Sequence, residues 1–188
     1  MFRNAHDIDI SFDAFLPLVD APAFAEDPFP LHIKGDFTGD GVADSAEITE
    51  PEMGEGTLHL TLSNGPPVVR PNLVWIGGFG QEPWLDITPA GSLEVISQNS
   101  SIGRNRWEQT LTLAFRNGQM RVAGYSFFWR DTLNLDDIGF CDLNLLTGKG
   151  MIHLGQDENP TAIRVTTKAV PIADWPAEMP AECAAYYN

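Results

Sequence analysis

The stretch NRWEQTLTLAFRNGQMRVAGYSFFWR, residues 105–130, constrains the fold more than any other part of the chain. Trp107, Gln109, Leu111, Leu113 and Phe115 fall on one face of an extended segment, and Glu108, Thr110, Thr112, Ala114 and Arg116 on the other. That period of two is what a half-buried strand requires. Asn117-Gly118 then stands where a type I′ turn needs positive φ at both central residues. The return segment is rich in β-branched and aromatic residues, so the stretch is a β-hairpin.

Shorter extended segments surround it. LHIK (31–34), TLHLTLS (57–63, ending at Asn64-Gly65), VVRPNLVWIGG (68–78), WLDIT and SLEVISQ precede the hairpin; DLNLLTG (142–148), MIHLG (151–155) and TAIRVTT (161–167) follow it. Pro71 marks an edge or a bend. With 17 Gly and 14 Pro and no long amphipathic helix, the pattern predicts a mainly β fold of roughly eight to ten strands, an antiparallel sandwich or barrel-like single domain. Residues 1–30 are broken by prolines and read as irregular. Residues 31–167 form the β-rich domain, and 168–188 a Pro-rich C-terminal tail with one helical turn at AECAAYY. No internal repeat is present.

The segment GDFTGDGVADSAEITE (35–50) packs four carboxylates and three glycines into its first thirteen residues. Counting Asp36 as position 1 places Thr38 at 3, Asp40 at 5, Gly41 at 6, Val42 at 7, Asp44 at 9 and Glu47 at 12. Calcium takes six to eight hard oxygens, from alternate side chains, a backbone carbonyl and a later carboxylate, around a sharp glycine turn. Asp36, Thr38, Asp40, the Val42 carbonyl, Asp44 and Glu47 are therefore the candidate ligands of Ca2+. If Glu47 points away in a strand, the other five suffice with a water. A solvated Gly/Asp turn is the plainer alternative. A helix–loop–helix arrangement does not fit, because DPFPLHIK cannot be a helix and Pro51 curtails one on the far side.

GDFTGDGVAD resembles the calcium loop of FG-GAP and VCBS-type repeats, which implies flanking strands and a main carboxylate ligand at Asp44. It is also similar to a single dockerin repeat, whose loop ends in an acid where Glu47 stands. Propellers and dockerins carry several copies and this chain has one, so the resemblance implies calcium ligation alone. The order of calcium loop, GSLEV, Trp-rich hairpin and DLNLLTGKG also resembles uncharacterised secreted bacterial proteins with one such loop.

A net charge of −15 with only three lysines disfavours nucleic acid and anionic membranes as partners and favours divalent or other cations. No run approaches the ~20 apolar residues of a membrane span. MFRNAHDIDISF has no signal-peptide core, so the chain reads either as cytosolic or as a mature form with an added Met. Structural calcium, which ambient concentrations fill outside the cytoplasm, favours a periplasmic or secreted location. Cys141 and Cys183 read equally as one disulfide or as two free thiols. His6, His32, His59 and His153 form no ligand or catalytic pattern, and no nucleophile elbow or phosphate loop appears.

Between Arg104 and Arg130 five arginines meet a single acid. Arg104, Arg106, Trp107, Arg121, Tyr125, Trp129 and Arg130 have the composition of a protein-interface hot spot; the alternative is that the aromatics are core and the arginines face solvent. The sequence thus reads as a non-catalytic, calcium-stabilised β-domain that binds a protein partner, of inhibitor or immunity type. The alternative is a calcium-dependent hydrolase or a carbohydrate-binding module acting on polysaccharide or cell wall. A hydrolase would show two acids about 5–9 Å apart in a groove, and a sugar-binding module exposed tryptophans.

Overall fold

A computed structural model describes residues 31–52, 54–156, 159–176 and 178–187; the irregular segment expected at 1–30 lies outside the described residues. The expected strands form, as two antiparallel sheets packed face to face. The first is a meander of β1 (His32–Gly35), β2 (Asp44–Glu52), β3 (Gly54–Thr61) and β4 (Val68–Ile76), in that order. The second has seven strands in chain order: β5 (Trp84–Ile87), β6 (Leu93–Asn99), β7 (Asn105–Arg116), β8 (Gln119–Asp131), β9 (Ile138–Asn144), β10 (Lys149–Leu154) and β11 (Thr161–Arg164). The sheets do not close into a barrel, so of the two expected architectures the sandwich is the one found. Among the described residues no helix is long and apolar enough to cross a membrane.

Burial follows the pleat. Ala46, Ile48, Leu58 and Leu60 of the first sheet meet Leu93, Val95, Leu111, Leu113, Val122 and Leu143 of the second in one core. Asn117 and Gly118 both have positive φ, at 55° and 75°, as the type I′ turn demands. Pro71 does sit on an edge strand, β4. The strand expected at 142–148 runs instead over 138–144, because Leu145–Lys149 turns back into β10, with the Gly148 N–H donating to the Asn144 carbonyl.

One irregularity decides which aromatics are inside. In β8 the register runs Leu113↔Val122 and then Thr112↔Gly124, leaving Ala123 as an extra residue. Such a bulge moves every later side chain to the other face. Met120 and Val122 point inward on one side of it, and Tyr125, Phe127 and Trp129 point inward on the other.

The C-terminal tail is part of the core. Ile172 and Trp175 are buried, and a short helix, α1 (Ala181–Ala184), carries Cys183 into a disulfide with Cys141 of β9. Beside the disulfide, Glu182 accepts hydrogen bonds from the backbone N–H and hydroxyl groups of both Thr166 and Thr167, at 2.6–3.0 Å. Burial alone would raise its pKa, but the four donors outweigh it and bring the group from 4.5 down to about 2. Its contribution to stability is therefore complete above pH 4.5 and is lost as pH falls towards 2. We expect wild type to melt above Glu182→Gln at neutral pH and the two curves of Tm against pH to converge across that interval; a gap independent of pH would refute this origin.

Candidate functional site

The Gly-Asp segment connects β1 to β2, with Gly35 and Asp44 as the last paired residues of that hairpin. Strands flank it on both sides, and they bring to the four loop residues Asp36, Thr38, Asp40 and Asp44 a fifth participant that no spacing along the chain singles out: Ser63, just past β3 and before the Asn64-Gly65 turn. Asp36 folds the loop around its own carboxylate. Its Oδ1 accepts from the N–H of Gly39 and Asp40 (2.6 and 3.1 Å), and its Oδ2 from that of Gly41 (2.8 Å). Gly41 takes φ of +85°, a conformation that side chains resist. The Gly41 N–H is the strongest cause holding the Asp36 carboxyl below the usual range; burial opposes it, and the Gly39 and Asp40 N–H groups add to it.

Asp44 is the buried member, 2% exposed. Its Oδ2 accepts from the N–H of Phe37 and Thr38 (2.7 and 2.9 Å), and its Oδ1 from the N–H and hydroxyl of Ser63 (2.6 and 2.8 Å). Burial would raise its pKa, but the Ser63, Thr38 and Phe37 donors together hold it low. Four donors on two oxygens use all four lone-pair positions of a carboxylate. Asp44 is thus the clasp between the β1–β2 loop and the β3–β4 turn. Asp40 lies at the rim, its Oδ1 on the Val42 N–H (2.8 Å) and its Oδ2 on the Ser63 hydroxyl (3.0 Å).

Of the six residues proposed as ligands, the fold brings Asp36, Thr38, Asp40 and Asp44 together around Ser63, with Val42 exposed in the loop between them. Glu47 is separated from them. Asp44, Ala46 and Ile48 face the core, so Glu47 faces the opposite way, exposed on the outer sheet surface between His32 and His59 in the register. Among the described residues no three His, Cys, Asp or Glu side chains already converge at metal-ligand spacing.

The residues proposed for a partner surface do not form one patch. Tyr125 and Trp129 are 2% and 4% exposed and belong to the core, Tyr125 donating to Gln109 Oε1 at 3.1 Å and Trp129 packing on Phe127 and Tyr187. This corrects the expectation that they contact a partner, and the bulge at Ala123 is its physical cause. Arg121 donates to the Ala169 carbonyl (2.8 Å) and fastens the tail, while Arg130 lies about 30 Å further along the strand (nine residues at ~3.3 Å each). Arg104, Arg106 and Arg130 do gather at that far end, with Arg104 paired to Asp131 and Arg106 donating to the Gly103 carbonyl. Trp107 is half-buried and stacks on Phe127.

Two acids face each other across β5 and β6, Asp86 and Glu94. Burial first, and repulsion from Asp86 second, raise the Glu94 carboxyl. The pair stands on the outer face of the larger sheet and lines neither of two clefts among the described residues, one of about 360 Å³ between the β3–β4 turn, the Gly118 turn and the tail, the other of about 220 Å³ beside β4. Comparison with known protein-family models, with curated proteins and with solved structures finds no match to this chain.

Proposed function

We propose that this chain is a non-catalytic binding domain, periplasmic or secreted, whose Gly-Asp loop takes a structural calcium ion. One observation carries the reading. Around Ser63 four oxygen–oxygen contacts of 2.8–3.4 Å join Asp36, Thr38, Asp40 and Asp44, and only two hydroxyl protons, those of Thr38 and Ser63, are there to fill them. Three carboxylates border this network without yet converging at metal-ligand spacing, and the only ion pair among the described residues is elsewhere, Arg104–Asp131. A cluster of hard oxygens short of protons and of positive charge fits calcium by donor type. Asp36, Thr38, Asp40 and the Val42 carbonyl would hold the ion, with Asp44 fixing the loop beneath them. Because Asp36 and Asp40 must turn inward to reach it, the affinity belongs with extracellular modules, roughly 10⁻⁴–10⁻³ M.

The disulfide supports an oxidising compartment. The protein-partner expectation keeps Arg104, Arg106 and Arg130 but loses Arg121, Tyr125 and Trp129, whereas the carbohydrate alternative has the cleft beside β4.

The test is the melting temperature in EDTA, then with calcium or magnesium, for wild type and Asp40→Ala. At ten times Kd calcium adds about 1.4 kcal/mol, a rise of about 3–6 °C for a domain of this size. Asp40→Ala should melt near wild type in EDTA and show no rise. An equal response to magnesium, or none to either ion, overturns the calcium reading.

A further inference from the structure

The cleft of about 220 Å³ lies where the edge strand β4 approaches β6 and β7. Trp75 and Glu55 come from the small sheet, Ser97, Trp107 and Gln109 from the large one, and Asn72 from the irregular part of β4. We propose that this cleft binds a neutral saccharide ring between the two indoles.

Both aromatic walls are held in place. Trp107 is backed by Phe127 in a stacked pair, 6.2 Å between centroids and 22° between planes, and Phe127 in turn by Trp129 and Tyr187. Trp75 is 45% exposed and lies over Gly54, where a Cβ would stand 3.1 Å from the indole ring. An indole face carries negative quadrupole and accepts the apolar, weakly positive C–H face of a sugar ring.

The polar walls point the same way. Ser97, 3% exposed, lines the cleft and brings to its wall a hydroxyl that can both donate and accept. Gln109 spends its carbonyl oxygen on the Tyr125 hydroxyl, leaving its amide N–H groups for the cleft. Asn72, with φ of 54° where the register between β3 and β4 slips, adds an amide to the lining.

Alternating donors and acceptors suit ring hydroxyls. A quaternary ammonium would use the indoles and Glu55 but make no hydrogen bond with Ser97, Asn72 or Gln109. An anion is disfavoured, because no Lys or Arg lines the cleft and the chain carries −15. The volume is below the about 300–1,000 Å³ of drug-sized sites and matches a single ring.

This ligand class rests on reading the chain as a binding domain but not on its calcium. The probes are glucose, galactose, N-acetylglucosamine, cellobiose, lactose and chitobiose, with choline and galacturonate as charged controls, titrated against intrinsic tryptophan fluorescence. We expect one or more neutral sugars to bind in the millimolar range, Trp75→Ala to weaken that binding by about tenfold or more, and Ser97→Ala to weaken it several-fold, with Tm of Trp75→Ala near wild type. No response to any neutral sugar, a response to choline alone, or binding indifferent to both substitutions overturns the proposal. The disaccharides are recovered afterwards: intact sugar is expected, whereas cleavage with Trp75-dependent binding would leave the cleft standing and sink the non-catalytic reading.

Discussion

Replacing Asp44 with alanine lowers stability by about 3–4 kcal/mol, in EDTA as much as in calcium. The figure follows from what the carboxylate holds. Three backbone N–H groups, of Phe37, Thr38 and Ser63, and one hydroxyl point at a residue that is 2% exposed. Each buried donor left without an acceptor costs about 1–3 kcal/mol, less wherever water enters. The loop is exposed on its outer side, so water rescues part of the loss and the total falls at or just under the foot of the summed range, about 4 kcal/mol for four donors. For a domain of this size that is a fall in Tm on the order of 10 °C.

Asp44→Asn distinguishes hydrogen bonding from charge. The amide oxygen still accepts two bonds, but its NH2 is set against N–H groups, so the loss falls between wild type and alanine. Asp44 is held low in pKa, so its stabilisation is complete above the ordinary carboxylate range and is lost as pH falls through its lowered value. Urea denaturation at neutral pH and at about pH 3 measures this: the gap between wild type and Asp44→Ala should narrow in acid. If Asp44→Ala lost stability only when calcium was present, Asp44 would be an ion ligand and not a clasp.

The sequence conveyed the sheets better than it conveyed the faces. Alternation over 105–116 and the Asn-Gly turn were enough to place β7, β8 and the inward set Trp107, Leu111 and Leu113. Carried on without interruption, that register sets Tyr125 against Thr110 and Trp129 against Arg106, both on the outer face. The observed partners are Leu111 and Trp107. Gly124, inside a strand, was the available sign of a bulge, but a glycine alone does not say which neighbour is extra. The Gly-Asp loop was legible as a turn of clustered acids because its geometry is local. Ser63 was not, since it joins Asp40 and Asp44 only through the pairing of β2 with β3. Trp75, Ser97 and Gln109 likewise sit on three strands from two sheets, and no spacing along the chain relates them.

The disulfide should be worth as much as the clasp. Cys141 and Cys183 are 42 residues apart, and closing a loop of that length removes about 4 kcal/mol of freedom from the unfolded chain. The same bond also governs an element of the native core. The tail it anchors brings Ile172 and Trp175 inside, sets Tyr187 edge-on against Phe127 and Trp129, and is fastened elsewhere by the Arg121–Ala169, Arg70–Trp175 and Glu182–Thr167 hydrogen bonds. Those contacts persist when the bond is cut, so the reduced protein should stay folded and melt about 8–16 °C lower. Both cysteines are fully buried, and the double Cys141→Ala, Cys183→Ala variant avoids placing a hydroxyl where nothing pairs with it. Hydrogen exchange should then show residues 168–187 opening ahead of β7 and β8, and Trp129 fluorescence should shift as Tyr187 leaves. An unchanged Tm after verified reduction would mean that the tail contacts alone close the fold; unfolding at ambient temperature would mean that they contribute almost nothing without the bond.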